Sequence, residues 1–244
     1  MQRLVLFAFA LTLACSHPAG SSSSVAQPVW HVAGGFLRDA EGRAVMLRGA
    51  NVGDKYSPYF NFQGPADFAR MRGDWGMNAV RFLVLWAAVE PQPGQYDDAY
   101  LDAVAQRIAW AQDADLLVVV DMHQDVYGEG FASGGGDGAP LWTCDPARYA
   151  AFVPTTPWFF NDLSPEVTAC YDGFWASADL QEHYAEGWRR LASRLAGFDH
   201  VIGFDVMNEP YWGSHGIQVF EPEVLQPFYE KVVPVVRSAA PAWV

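Results

Sequence analysis

The sequence predicts an α/β fold of four consecutive strand–helix units, arranged either as an open sheet or as half of a (β/α)8 barrel. Apolar runs of strand length alternate with stretches of helical spacing, and no glycine-rich phosphate loop opens a helix. A third observation favours the barrel. Reactive side chains stand at the end of every predicted strand, and barrel enzymes carry their chemistry at the carboxyl ends of their strands.

The chain begins its folded part with a hairpin and a short buried strand. Within residues 31–52, the pattern predicts a small hairpin that turns at residues 39–42 (DAEG), followed by a first buried strand around residues 45–52. Residues 66–76 predict a short helix that ends at Gly76. The apolar run at residues 78–85 (NAVRFLVL) is typical of a strand buried on both faces.

The same order of helix and strand then repeats. The pattern predicts a helix over residues 98–114, a strand over 115–122, a helix over 180–195, a strand over 201–208 and a last helix over 224–240. Pro234 is expected to interrupt or kink the last helix, because proline cannot donate a main-chain hydrogen bond.

Polar or aromatic side chains follow each of the four strands. They are Asn51, Asp54 and Lys55, then Trp86 and Glu90, then Asp121, His123 and Asp125, and finally Asn208 and Glu209. Any one of them is more often a turn former or a hydrogen-bonded core residue. Their conjunction favours one shared cleft. Arg81, inside the second strand, would need a carboxylate partner there because a buried guanidinium is costly when unpaired.

The first residues indicate export. Residues 1–14 (MQRLVLFAFALTLA) are apolar after one basic residue and too short to span a bilayer. Cys15 and the Ser-rich tether over residues 15–28 resemble the cleavage region of a bacterial lipoprotein, although Thr12 stands where such signals carry Leu. Ordinary signal cleavage after Ala14 is the alternative. We expect a protein of the periplasm or outer surface, tethered to the membrane through lipidated Cys15, or else secreted.

Export changes the interpretation of Cys144 and Cys170. If Cys15 is lipidated, an even number of cysteines remains in an oxidising compartment, and we expect a disulfide between them. Two buried thiols or a metal pair are the alternatives. No neighbouring CxxC or HxxxH pattern supports a metal.

Charge and composition bear on the partner. The net charge of −13 argues against nucleic acid, because no basic stripe is available to neutralise phosphates. The aromatic content is 15%, with ten Trp, which exceeds the needs of a core. Aromatic faces stack on sugar rings as well as packing in cores, so the excess is compatible with a carbohydrate partner.

Three motifs, in their order and spacing, resemble family 5 glycoside hydrolases of the (β/α)8 clan. They are NAVRFLVLW, VVVDMHQDVYG and GFDVMNEP. The stretches LRGANVGDKYSPYF, DMHQD and GDGAPLWTC are similar to endoglycoceramidases and related glycosylceramidases. The resemblance covers roughly residues 30–244 and implies that residues 29–244 form part of a (β/α)8 catalytic domain that needs no cofactor and no metal.

The resemblance implies a catalytic role for four residues. Glu209 matches the general acid/base, and Asn208 matches the Asn that hydrogen-bonds the sugar 2-hydroxyl. Arg81 and His123 match the active-site Arg and His of the family. Because Glu209 comes directly after an apolar strand, we expect burial to raise its pKa.

Further residues are expected to bind substrate. Lys55 and Asp125 match positions that touch the sugar in ceramide-type enzymes, and Asp121 and Trp86 are additional candidates at the same strand ends. The function implied is a retaining glycoside hydrolase. A β-glucanase or mannanase and a non-catalytic carbohydrate-binding module are the alternatives, whereas an esterase would require a Gly-x-Ser-x-Gly elbow that the sequence lacks.

Family members carry the nucleophilic Glu after the seventh strand. Four strand–helix units are half a barrel, so we interpret the sequence as an N-terminal half without its nucleophile, inactive by itself. The segment from His123 to Trp175 is rich in large apolar groups, which either line a path for a lipid aglycone or pack under the loop. These groups are Phe131, Leu141, Trp142, Trp158, Phe159 and Phe160. The resemblance favours a glycolipid substrate.

Overall fold

The computed structural model describes residues 30–61 and 63–244. The predicted signal peptide (1–14), the tether (15–28) and lipidation at Cys15 therefore fall outside the described residues. Within the described ranges, no helix combines the length and the apolar composition that a membrane crossing requires.

The N-terminal hairpin turns earlier than predicted. Strands β1 (His31–Ala33) and β2 (Phe36–Arg38) pair antiparallel around Gly34 and Gly35, whose φ angles are 61° and 77°. Two consecutive glycines adopt positive φ without steric cost and so form a two-residue hairpin turn. The predicted turn at residues 39–42 is present, but it follows β2 and leads to a single antiparallel bridge between Arg38 and Ala44.

The central sheet has four parallel strands in the order β3-β4-β5-β6. They are β3 (Gly49–Val52), β4 (Ala79–Leu85), β5 (Leu117–His123) and β6 (Val201–Asp205). The four predicted strands are confirmed, in sequence order. Strand β3 is shorter and more exposed than expected, with only Val52 buried, because it pairs with β4 on one side alone. Beyond the last helix, the main chain of Val244 returns to the other edge and donates to Ile202 O at 3.0 Å.

Helices connect the strands. They are α1 (Pro65–Gly73), α2 (Trp86–Val89), α3 (Asp98–Asp113), α4 (Pro146–Ala151), α5 (Pro165–Ala176), α6 (Ala178–Leu195), α7 (Ile217–Phe220) and α8 (Gln226–Ala239). Asp97 and Ser177 accept hydrogen bonds from the first turns of α3 and α6 and so fix where these helices begin. Of the two outcomes predicted for Pro234, an interruption of the last helix is wrong, since α8 continues through it, and a kink stays a prediction.

The two faces of the sheet differ in chemistry. Val80, Phe82 and Val120 point to the helix-covered face, where they are at most 1% exposed and pack with side chains of α3 and α6. Each such side chain stabilises the fold by about 1.5–3 kcal/mol. Because side chains alternate along a strand, Arg81 and Asp121 point to the opposite face. The alternation therefore collects the polar residues of the strands on one side of the sheet.

A long segment, residues 124–164, lies between β5 and α5 and is termed the excursion. It contains 3₁₀ turns at Glu129–Gly134, Leu141–Thr143 and Trp158–Leu163. Cys144, just after the second turn, forms a disulfide with Cys170 in α5, and their Cα atoms are 5.4 Å apart. The bond ties the middle of the excursion to a helix that packs in the core.

Candidate active site

Arg81 joins strands β4 and β6 on the polar face of the sheet. Its Nη1 lies 2.9 Å from Asp121 Oδ2, and its Nη2 donates to Asp205 Oδ2 at 2.7 Å and to Asn208 Oδ1 at 3.0 Å. The prediction that Arg81 needs a carboxylate partner is confirmed, and it has two such partners, Asp121 and Asp205. Asp121 and Asp205 are paired in the strand register, so the guanidinium neutralises two adjacent carboxylates.

His123 lies at the end of β5 against Asp121. Its Nδ1 is 2.7 Å from Asp121 Oδ2, and its Nε2 is 3.5 Å from Asp125 Oδ2. Burial disfavours the charged imidazole, but the hydrogen bonds with Asp121 and Asp125 outweigh burial and raise the pKa of His123 to about 9. His123 is therefore a proton donor over the neutral pH range.

Asp121 holds other protein groups in place. Its side chain is 0% exposed, and burial raises its pKa despite the nearby charges of His123 and Arg81. The expectation that Asp121 binds substrate does not fit this position, because its carboxylate is enclosed between His123 and Arg81.

Lys55 brings the loop after β3 into the site. Its ammonium pairs with Asp125 and lies 3.6 Å from Asp137 Oδ2. Burial opposes the charge on Lys55, but the two carboxylates outweigh burial and raise the pKa of Lys55. Burial also opposes ionisation of Asp125, yet His123 and Lys55 hold the pKa of Asp125 below its usual value.

Asp137 completes this group from the long excursion after β5. Its side chain is 1% exposed, and burial raises the pKa of Asp137 to about 7. One donor atom each from His123, Asp125 and Asp137 lies within 4.8 Å of the others, a spacing compatible with a cation. Lys55 already supplies a positive charge to both carboxylates, and its ammonium would repel a divalent ion.

Glu209 follows β6 at the lip of a cleft. The cleft is lined by Gln124, Asp125, Val126, Asp162, Glu209, Pro210, Tyr211, Trp212, Ile217, Phe220, Glu221 and Leu225. The prediction that Glu209 is buried is wrong. In the part of the chain that the structure describes, its side chain is exposed. The main chain of Glu209 has a positive φ of 41°, and the residue lines the cleft.

Asn208 is held tightly beside it. The side chain is 8% exposed; its Oδ1 accepts from Arg81, and its Nδ2 donates to Gln124 O at 2.9 Å and lies 3.4 Å from Asp125 Oδ1. The structure thus brings together five predicted site residues with Asn208. They are Arg81, His123, Lys55, Asp125 and, as a supporting group, Asp121.

Trp86 does not join this group. Its side chain is 2% exposed, packs edge-on against Tyr184 and Trp142, and donates from Nε1 to Glu90 Oε2 at 3.0 Å. The expectation that Trp86 binds substrate does not fit this burial. Glu90 itself is 0% exposed and contacts His183 in α6 at 2.6 Å, so both residues brace α2.

The large apolar groups of the excursion separate into two sets. Phe131 is 0% exposed and Trp142 is half-buried against the core, as expected for packing under the loop. Leu141, Trp158, Phe159 and Phe160 are 48–53% exposed. Packing under the loop is therefore confirmed for Phe131 and Trp142, whereas a lipid path stays a prediction for the exposed groups.

Four residues of the site were not among those predicted from the sequence. They are Gln124, Asp137, Asp162 and Asp205. Asp205 carried a usable signal, since a charged residue inside an apolar strand is the same feature that singled out Arg81. Asp162 lines the cleft, and burial together with the charges of Asp125 and Glu209 raises the pKa of Asp162 to about 6. Nothing local distinguishes Asp162 or Asp137 from an ordinary loop acid.

Comparison with known proteins identifies the family. Residues 38–244 match the family described as Cellulase (glycosyl hydrolase family 5). Endoglycoceramidase I of Rhodococcus hoagii is 31% identical over 194 residues, which cover 77% of this chain and 38% of that protein. A glucosylceramidase of Rhizopus delemar is 27% identical, with coverage of 83% and 38%.

Comparison with solved structures finds a protein of the same kind. Endo-glycoceramidase II from Rhodococcus sp. superposes with a TM-score of 0.77 at 38% identity, and the match covers 84% of this chain and 48% of that one. The chain thus spans less than half the length of each of these three proteins. The parallel sheet and the match to this solved structure identify a partial (β/α)8 barrel rather than an open sheet. The chain belongs to glycosyl hydrolase family 5.

Proposed function

We propose that the protein is a retaining glycoside hydrolase that cleaves the sugar from a glycolipid of the glycosylceramide type, with Glu209 as the general acid/base. One observation carries the proposal. Glu209 stands at the lip of a cleft directly after Asn208, whose side chain is held by Arg81 beside the His123 and Asp125 side chains.

The chemistry requires two carboxyl groups. Glu209 protonates the glycosidic oxygen as the bond to the anomeric carbon breaks, and a carboxylate about 5 Å away attacks that carbon. In the next step Glu209 takes a proton from water, which displaces the enzyme carboxylate. The resemblance assigns the nucleophile to a residue after the seventh strand, so these four strand–helix units supply the acid/base and part of the sugar site.

The polar groups around Glu209 suit a sugar. We expect Asn208, whose amide oxygen accepts from Arg81, to hydrogen-bond the 2-hydroxyl, an interaction that strengthens in the transition state. Lys55 and Asp125 form a charged pair, and we expect their remaining donors and acceptors to bind sugar hydroxyls. His123, with its raised pKa, donates to a substrate oxygen or to Asp125.

Two observations support a lipid aglycone. The relatives are endoglycoceramidases and glucosylceramidases, and one solved structure is a complex of endo-glycoceramidase II with ganglioside GM3. In addition, Trp158, Phe159 and Phe160 are about half exposed on the same 3₁₀ turn as Asp162, which lines the Glu209 cleft. An apolar surface beside a polar cleft fits a substrate with a sugar head and a lipid tail.

We also propose that the protein is exported, with the membrane tether at Cys15. The Cys144–Cys170 disulfide supports an oxidising compartment. Fractionation of cells that produce the wild type and Cys15→Ser tests the tether. Membrane association of the wild type that Cys15→Ser abolishes supports it, whereas equal amounts in the membrane fraction contradict it.

The substrate is tested with the full-length protein. Glucosylceramide and ganglioside GM3 in detergent micelles are compared with carboxymethyl cellulose and β-mannan, with release of ceramide and of reducing sugar as the readouts. Ceramide release by the wild type supports the proposal. Cleavage of the polysaccharides alone points to a glucanase or mannanase, and sugar binding without any cleavage points to a binding module.

A further inference from the structure

We propose that Gln124 is a positioning residue for Glu209: its side-chain amide holds the main chain of the acid/base in the conformation that aims the carboxyl group into the cleft. The proposal rests on the function proposed above, since it assumes that Glu209 is the acid/base. Gln124 lies in the HQD segment between His123 and Asp125, and its side chain is 7% exposed.

All four hydrogen-bonding positions of the Gln124 amide are used. Its Nε2 donates to Asn208 O at 2.7 Å and to Glu209 O at 3.0 Å. Its Oε1 accepts from Tyr127 N at 3.0 Å and from the Tyr171 hydroxyl at 2.6 Å. An amide has two donor hydrogens and two acceptor lone pairs, so the orientation of this side chain is fully determined. Both donor hydrogens therefore bind main-chain carbonyl oxygens, those of Asn208 and Glu209.

The main chain at Glu209 needs such support. Its φ of 41° lies in the left-handed region, which is unfavourable for a residue with a Cβ atom. Pro210 follows, and proline restricts the preceding residue toward extended conformations. Strained main chain of this kind persists where surrounding contacts hold it, and it is concentrated at functional sites.

Gln124 also holds a second strained segment. Val126 and Tyr127 have φ angles of 48° and 69°, and the main-chain N–H of Tyr127 donates to Gln124 Oε1. The loop after β5 and the loop after β6 are therefore joined through one side chain. A change at Gln124 is expected to release the main chain of Glu209 on one side and of Tyr127 on the other.

The surroundings of Gln124 fix its position. Gly138 has φ 107°, and a Cβ atom there would come within 2.4 Å of Gln124 Cβ, so only glycine permits this approach. Tyr171 is 2% exposed in α5 and packs edge-on against Tyr127 at 5.2 Å between ring centroids. Tyr171 follows Cys170, which the disulfide ties to Cys144. These contacts come from the long excursion and from α5.

The decisive test compares leaving groups in the full-length protein. Gln124→Met keeps the length of the side chain and removes the donors and acceptors. If Glu209 is misplaced, hydrolysis of a lipid or alkyl glycoside, which needs protonation of the leaving oxygen, falls by about 100-fold. Hydrolysis of a dinitrophenyl glycoside, which needs little protonation, falls far less, and KM stays nearly unchanged for both.

A matched control removes the same chemistry elsewhere. Gln181 in α6 donates from Nε2 to Trp175 O at 3.0 Å and to Phe174 O at 3.4 Å, again two main-chain carbonyl groups. Gln181→Met is expected to leave the ratio of the two rates at the wild-type value. Tyr171→Phe removes only the hydroxyl that donates to Gln124 Oε1, so it serves as a milder variant if Gln124→Met does not fold. It is expected to shift the same ratio in the same direction.

A second measurement is independent of glycosidase activity. Crystal structures of the wild type, Gln124→Met and Tyr171→Phe report the φ angle of Glu209. A change of φ to negative values, or a displaced Glu209 carboxyl group, in the Gln124 variant supports the proposal even if the wild type cleaves no glycoside. Unchanged geometry at Glu209, or equal loss of rate on both leaving groups, overturns it.

Discussion

Arg81 donates from Nη2 to Oδ1 of Asn208 at 3.0 Å, although the two residues are 127 positions apart in the sequence. The same nitrogen binds Asp205, and the other terminal nitrogen binds Asp121. One guanidinium therefore sets the orientation of the amide that directly precedes Glu209.

We expect Arg81→Lys to damage both stability and activity. Lysine presents a single point charge and cannot bridge the carboxylates of Asp121 and Asp205 while holding Asn208. Because Asp121 is 0% exposed, loss of Arg81, one of its two charged partners, is expected to lower the free energy of unfolding by about 3 kcal/mol. Urea denaturation measures this. The control is Arg72→Lys, at an exposed pair with Asp115, which should change stability by less than about 1 kcal/mol. Equal effects in the two variants would contradict the role of Arg81.

Glu209→Gln tests the proposed acid/base in the full-length protein. Glutamine keeps the shape but carries no transferable carboxyl proton, so hydrolysis of natural glycosides should fall by about 10²–10⁴-fold. Aryl glycosides with activated leaving groups should lose less in the first step. Glu182→Gln removes a carboxylate from the exposed face of α6 and should retain the wild-type rate. Wild-type turnover by Glu209→Gln on an ordinary glycoside would exclude this residue as the acid.

Asp137→Asn is expected to change how stability depends on pH. Burial raises the pKa of Asp137 from 3.8 to about 7 in the folded protein. Its contribution to stability is therefore complete below about pH 4 and is lost as the pH rises through about 7, since the folded state holds the proton more tightly. Relative to the wild type, the Asn variant should become more stable between pH 4 and pH 8.

Urea denaturation at pH 4, 6 and 8 measures the effect of Asp137→Asn. His123 also titrates with a raised pKa, but it is present in both proteins and largely cancels in the difference. Asp113→Asn, at an exposed position in α3, is the control. A flat difference for Asp137→Asn would show that its carboxyl group is solvated.

The Cys144–Cys170 disulfide is expected to stabilise the excursion after β5. It joins residues 26 positions apart. Closing a loop of that length lowers the conformational entropy of the unfolded chain, which raises the free energy of unfolding by about 3 kcal/mol. The double variant Cys144→Ala/Cys170→Ala, in a Cys15→Ser background, should lose about that amount in urea denaturation. Dithiothreitol should destabilise the parent protein and leave the double variant unchanged. Equal stability of parent and double variant without reductant would contradict the prediction.

The repeated elements could be predicted because they depend on local pattern. The runs at residues 78–85 and 201–208 are apolar enough to require burial, and strands β4 and β6 lie within them. The first turn was misplaced because Gly34–Gly35 competes with residues 39–42, and both stretches form turns. Helix α8 continues through Pro234 with Phe228, Val232 and Val236 buried, and a local rule for proline takes no account of that burial.

The sequence by itself determined the alternation of strands and helices and the chemistry at the strand ends, because both follow from residue type and local spacing. It also indicated Glu209, Asn208, Arg81 and His123 through motif resemblance. Only the tertiary structure decided that Asp121 supports Arg81 and His123, and that Trp86 belongs to the core. Burial, the pKa of a carboxyl group and the choice of partner depend on distances between segments far apart in the chain. A linear pattern identifies the groups that need partners, and the packed fold selects which partners they have.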